Sequence, residues 1–235
     1  MKKQLVFALI LTILTGSLFA QQTPTSNFED AEKPVVPITP QTQKVQDYSA
    51  ALNLARYGYA NNNALCLITA AGMIYKLGVI PLPADARQNV TEPASADTKP
   101  AKPDFSNPEQ LLTDARRLAK GDAHILALAN QLKPAPISRG AVGGPRRNTT
   151  SVLAKSTDTY NIRFRGLESA VVVLRGDGDT DLDLYVYDEN GNLVARDDDY
   201  SDGCVAAWTP LYSGVFTIRV KNRGSVYNRY TLATN

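Results

Sequence analysis

Apolar and polar positions follow two different periods along this chain, and the change falls near residue 157. Between residues 43 and 60, Val45, Tyr48, Leu52, Ala55 and Tyr59 recur every three or four positions, one face of a helix. Asn61, Asn62 and Asn63 supply a turn and cap. Leu65, Ile68, Gly72 and Tyr75, flanked by Leu67, Ala71, Ile74 and Gly78, then predict a second helix, apolar nearly all round and therefore buried. Asn107-Pro108-Glu109-Gln110 places a cap, a proline at the first helical position and a glutamine three residues past the cap. Leu111, Leu112, Ala115 and Leu118 continue that third helix, and a short fourth opens near Asp122 and runs through Ile125, Leu128, Ala129 and Leu132.

From residue 157 the period becomes two. Tyr160, Ile162 and Phe164 alternate with polar neighbours, as do Leu182, Leu184 and Val186, while Ala170 to Leu174 is a continuous apolar run. Further strands are predicted at Leu193 to Ala195, Cys204 to Trp208, Val215 to Val220 and Tyr227 to Leu232, with turns at Asn190-Gly191 and Ser213-Gly214. Several short strands with no helix between them imply two packed sheets. The fold class is thus an α+β chain in two parts, a small N-terminal helical hairpin or bundle followed by a C-terminal antiparallel β-sandwich.

Proline marks the boundaries, because it lacks the N–H and fixes its backbone angle. Thirteen of fourteen prolines fall within residues 24–40, 81–108 and 134–145. The expected organisation is a Pro-rich leader over 21–42, helices over 43–133 with a Pro-rich excursion at 81–106, a linker over 134–154 and the sandwich over 155–235. Residues 1–20 read differently. Lys2 and Lys3 precede an apolar run from Leu5 to Leu14, then small residues lead to Ala20, the layout of a secretory signal peptide. A membrane-spanning anchor needs about 20 apolar residues, and Thr12, Thr15, Gly16 and Ser17 interrupt this one. The expected destination is the periplasm or the outside of the cell. No cysteine follows the cleavage point to carry a lipid.

Composition then narrows the chemistry. Among 235 residues there are 25 Lys+Arg, 23 Asp+Glu and one histidine, and loss of Lys2 and Lys3 leaves the mature chain formally neutral. No polybasic field is offered to nucleic acid. With a lone His124 and two cysteines, most zinc sites and Ser-His-Asp or Cys-His arrangements are excluded. In an exported chain the even cysteine count makes Cys66 and Cys204 a candidate disulfide. The alternative is that Cys66 is a small buried helical side chain.

Charge is concentrated locally. Residues 177 to 202 hold ten carboxylates against one basic residue, Arg196. Like charges about 4 Å apart repel by about 1 kcal/mol even in water, so such a cluster needs a compensating partner or full exposure. A hard cation is one such partner, since Ca²⁺ accepts six to eight oxygens in flexible geometry. Asp177, Asp179, Asp181, Asp183 and Asp188 match EF-hand positions, but Leu182 stands where that loop requires glycine and no helix flanks it. The expectation is a structural calcium site in loops entering strands, with Asp177, Asp179, Asp181 and Asp183 on one side and Asp198, Asp199 and Asp202 on the other. A solvated acidic face that binds no ion is the competing expectation.

The run Gly178-Asp179-Thr180-Asp181-Leu182-Asp183-Leu184-Tyr185-Val186-Tyr187-Asp188, then Asp197-Asp198-Asp199, Trp208-Thr209-Pro210 and Gly214-Val215-Phe216-Thr217-Ile218, resembles the bacterial pre-peptidase C-terminal domain family over about residues 155–235. The resemblance implies a jelly-roll-like sandwich appended to secreted enzymes, with the leucines and valine of Leu182 to Val186 in the core, flanking aspartates as ion ligands, and binding of protein or polysaccharide surfaces. The helices upstream carry no nucleophile and base. The expected function is therefore an exported, non-catalytic module that binds a protein or polysaccharide surface, with Tyr185, Tyr187, Tyr200, Tyr212 and Tyr227 as candidate contacts. The alternatives are a secreted hydrolase using paired aspartates, as glycosidases do, and an accessory subunit of a secreted peptidase. Hydrolysis would need a buried acid with a raised pKa, which an exposed acidic cluster is not expected to supply.

Overall fold

A computed structural model describes residues 26–27, 38–88, 99–100, 102–134 and 144–235. The leader over residues 1–20 lies outside the described residues. Helix α1 spans Pro40–Ala60, three residues earlier than its apolar stripe, because Thr39 and Thr42 form a capping box and Pro40 occupies the first turn, where no N–H is missed. Asn63 caps α2 (Ala64–Leu77) and Gly78, at φ 60°, ends it. Asn107 caps α3 (Pro108–Leu118) by accepting from Glu109 N and Gln110 N, as its sequence predicts. Asp122 does the same for α4 (Ala123–Gln131) through His124 N and Ile125 N. Helix α2 is the central one, packed by α1, α3 and α4. Gly58 lets α1 approach it, since a Cβ there would lie 2.6 Å from Leu67 Cδ2.

The sandwich has two five-stranded sheets. The first orders β1 (Ile80–Pro81), β3 (Arg146–Val152), β10 (Asn228–Thr234), β5 (Ala170–Arg175) and β8 (Val205–Trp208). The second orders β2 (Arg87–Gln88), β4 (Thr157–Phe164), β9 (Gly214–Asn222), β6 (Leu182–Tyr187) and β7 (Leu193–Asp197). All pairings are antiparallel except β1 with β3. Between the sheets Phe164, Trp208 and Phe216 form an aromatic cluster, with Trp208 edge-on to Phe164 at 4.8 Å.

The two parts of the chain share a second core. Val45, Tyr48, Leu52 and Ala55 of α1 pack on Val171, Val173, Ala207 and Ala233, which face outward from the first sheet. This explains the unbroken apolar run of β5: Ala170, Val172 and Leu174 fill the sandwich while Val171 and Val173 meet helices. The architecture is three layers, helices on sheet on sheet.

Three segments read as loop or linker belong to this body. Strand β3 lies in the expected 134–154 linker and pairs along β10. Strands β1 and β2 fall in the Pro-rich excursion and tie it to both sheets, while Leu82 and Ala86 between and beside them enter the sandwich core. Residues 102–106 are buttoned down through Asp104 to Arg229 at 2.9 Å and Ser106 to Thr149 at 2.9 Å. Among the described residues no helix is long and apolar enough to cross a membrane.

Candidate functional site

The loops β5–β6, β7–β8 and β9–β10 meet at one end of the sandwich and line an open cleft of about 530 Å³ that includes Asp179, Asp181, Tyr200, Asp202 and Arg223. Most of the acidic stretch is gathered here, Asp188 and Glu189 excepted, but its carboxylates are held by cations and N–H donors. Asp177 is nearly buried. Its Oδ2 accepts from Lys99 Nζ at 2.8 Å and Arg229 N at 3.1 Å, and its Oδ1 from Asp179 N at 3.3 Å. Asp179 accepts from Lys99 Nζ at 2.5 Å and from Lys102 Nζ, which also reaches Asp177 O at 2.8 Å. Burial works against the Asp179 charge, but the two ammonium groups outweigh it and hold the carboxyl below its ordinary range. Asp183 is buried against the Arg223 guanidinium and accepts from Tyr185 Oη at 3.1 Å. Asp202 accepts from Arg56 of α1 at 2.9 Å and from Gly178 N. Asp199 accepts from Ser201 Oγ at 2.7 Å, and Asp198 faces Arg196 at 3.7 Å.

Asp181 stands apart. Its Oδ1 is buried without a hydrogen-bond partner, and burial, reinforced by the neighbouring Asp183 charge, pushes its carboxyl up. Among the described residues no group of three or more His, Cys, Asp or Glu side chains is arranged to hold a metal. In this arrangement the oxygens of Asp177 and Asp179 expected for calcium are spent on Lys99 and Lys102. Lys99 Nζ is further fixed by Tyr227 O at 2.6 Å and lies 3.9 Å above the Tyr227 ring.

A second carboxyl is pushed up where none was expected. Asp158 is buried in the sandwich, and burial raises it despite hydrogen bonds from Tyr230 Oη at 2.6 Å and Arg87 at 2.8 Å. Tyr230 in turn shares a 2.6 Å hydrogen bond with Tyr160. This chain of polar groups fastens β2, β4 and β10 together inside the core.

The five tyrosines divide among three places. Tyr185 and Tyr187 point outward from the second sheet, Tyr200 is 95% exposed at the acidic end, Tyr227 lies under Lys99, and Tyr212 sits at the opposite end. Only the first two share a surface. Arg219 lies over the Tyr187 ring at 4.8 Å, and a shallow cleft of about 450 Å³ beside it is lined by Asn161, Tyr187, Val215, Thr217 and Arg219, with Asp188 and Glu189 at its end. The cysteines are both free: Cys204 is buried in the sandwich and donates Sγ–H to Leu182 O at 3.0 Å, while Cys66 is partly exposed on α2. Burial pushes the Cys204 thiol up. Cys66 thus sits on a helix in the outer layer and Cys204 inside the sandwich, which is why they remain apart.

Sequence reasoning missed Lys99, Lys102, Arg56 and Arg223 as partners of the aspartates. It also missed Asn27, which is buried at the far end of the sandwich. Its N–H donates to Asp188 Oδ2 at 2.7 Å, its Nδ2 to Tyr212 O at 3.1 Å, and its Oδ1 accepts from Tyr212 N at 3.0 Å. A Cβ on Gly214 would lie 2.8 Å from Glu189 Oε2 and 3.1 Å from Asn27 Nδ2, so the glycine keeps this contact open.

No protein-family profile and no curated protein matches this chain. Several solved structures are similar to part of it, two of them as follows. The pre-peptidase C-terminal domain of collagenase from Bacillus anthracis is 13% identical at a TM-score of 0.32, over 38% of this chain and 87% of that one. PliG from Aeromonas hydrophila, a periplasmic inhibitor of g-type lysozyme, is 16% identical at a TM-score of 0.31, over 43% of this chain and 91% of that one. Likenesses at these scores carry no weight here; the sandwich rests on the strand pairing above.

Proposed function

We propose that this chain is an exported, non-catalytic binding module that meets a protein or polysaccharide surface with the outer face of its second sheet. The observation that supports this is the unequal treatment of the two sheets: α1 covers the outside of the first, and among the described residues none of α1 to α4 covers the second in the same way. Tyr185 and Tyr187 on that open face supply amphipathic rings, which suit contacts that stay partly wet. Export rests on the leader pattern of residues 1–20.

The test is a binding screen of glycans and exported proteins with the mature chain and with a Tyr185→Ser/Tyr187→Ser variant whose fold is checked by circular dichroism. A ligand held by the parent and lost by the variant supports the reading. Equal retention by both sends the contact elsewhere, and turnover of a chromogenic glycoside or peptide supports the hydrolase alternative. Calcium enters this proposal as a competitor of lysine: for Asp177, Asp179 and Asp181 to share an ion, Lys99 and Lys102 must withdraw.

A further inference from the structure

The open face of the second sheet is not merely polar; its charge is one-sided. Residues of β4, β9 and β6 alternate between core and solvent, so Thr159, Arg219 and Tyr185 stand side by side across three strands, and so do Asn161, Thr217 and Tyr187 in the next row. These three strands also carry Arg163 and Lys221 outward, against a single outward carboxylate, Asp183, which is already bound to Arg223. Among the described residues no carboxylate pairs with Arg163, Arg219 or Lys221. Arg196 of β7 adds a further guanidinium opposite Tyr185, loosely facing Asp198 at 3.7 Å. Most carboxylates of the 177–202 stretch lie at the loop end around Asp179, Asp181 and Asp202, and the two at the other end of the cleft are engaged: Asp188 is buried among donors from Asn27 and Asn192, and Glu189 accepts from Asn27 Nδ2.

Resting on the reading of this face as the contact surface, we infer that its ligand is an acidic polysaccharide, lying across β4, β9 and β6 with its carboxylates on Arg163 and Arg219 and a sugar ring against Tyr187. Guanidinium groups bind carboxylates through paired hydrogen bonds, and tyrosine rings accept the apolar faces of sugars. Asn161 and Thr217 add donors and acceptors for hydroxyl groups. A protein partner fits less well, because the large apolar side chains exposed on these strands amount to Val215 at 39% and Leu193 at 45%, too little for the dry centre that protein interfaces require. The acidic loops at one end and Asp188 and Glu189 at the other repel a polyanion, which confines it to the strands between them.

Affinity electrophoresis of the mature full chain in gels containing polygalacturonate, dextran or polyglutamate tests this, with Arg163→Gln/Arg219→Gln and Tyr187→Ser variants run alongside. These side chains are at the surface, and unchanged thermal midpoints confirm that the variants fold. The expected result is retardation by polygalacturonate and none by dextran. Affinity should fall at least about tenfold in the arginine variant, the loss of one charge-assisted hydrogen bond or more, and should weaken as salt rises from about 0.05 to about 0.5 M. Absence of retardation by polygalacturonate at low salt overturns the inference. Equal retardation by dextran, an unaffected arginine variant, or stronger binding to polyglutamate also overturns it, but leaves the face as a contact surface if Tyr187→Ser still weakens binding. Binding that neither variant alters overturns both.

Discussion

At the scale of single residues, this chain handles a dense set of carboxylates by setting cations and N–H donors against most of them, with Asp181 Oδ1 the exception. Asp179 and Asp188 are held below the ordinary carboxylate range, so each stabilises the fold above the unfolded value of about 3.9 and ceases to do so as pH falls through its lower folded value. Burial alone would raise Asp188. Hydrogen bonds from the side chain and N–H of Asn192 and from the N–H groups of Asn27 and Asn190 reverse that. Asp181 has the opposite sign: its raised carboxyl costs stability above the folded value and nothing below the unfolded one. Asp181→Asn should therefore raise the urea midpoint at pH 7, and the gain should vanish below about pH 3. Urea unfolding at the two pH values checks this. Lys99→Ala leaves the nearly buried Asp177 with backbone donors alone and should cost about 1–3 kcal/mol in the same assay. If lysine and calcium compete for these oxygens, a Lys99→Ala/Lys102→Ala variant should show a calcium-specific rise in thermal midpoint, not given by magnesium, that exceeds any rise in the parent. An equal response of parent and variant would disprove the competition.

At the scale of elements, what was legible in the sequence follows the strength of the local pattern. The caps of α3 and α4, the buried character of α2 and the strands β4, β5, β6 and β9 all carry a period or a cap that a few neighbouring residues define. Strand β3 does not: of Arg146–Val152 only Val152 is buried, so its pairing with β10 leaves no apolar alternation to read. Strands β1 and β2 are two residues each, below the length at which a period exists. The candidate site was legible by half. Ten acids against one base showed that compensation was needed, but Lys99 and Lys102 come from a Pro-rich stretch about 80 positions upstream and only the fold brings them in. Two tethers can be tested as elements. Leu82 plugs the core from the β1–β2 strap, and Leu82→Ala should cost about 2–5 kcal/mol by urea unfolding. Asn27→Ala keeps the backbone N–H to Asp188 but removes the side-chain bonds to Glu189 and to the Tyr212 backbone at the far end, and should cost about 1–3 kcal/mol; a change below a few tenths of a kcal/mol would show that the side-chain contact does not form.

At the scale of the whole molecule, the helices and the sandwich are not two beads on a string. Val171, Val173, Ala207 and Ala233 would expose an apolar patch on the first sheet if α1 left it, and Asp202 would lose Arg56. The same docking leaves the second sheet as the face available for binding, so the proposed function depends on it. Unfolding the mature chain in urea, followed together by Trp208 fluorescence and by far-ultraviolet circular dichroism, reads the sandwich core and the helices separately. Coincident midpoints and slopes are the predicted result, one cooperative transition for both layers. Loss of helical signal in an earlier, separate transition while Trp208 stays in its native environment would contradict it.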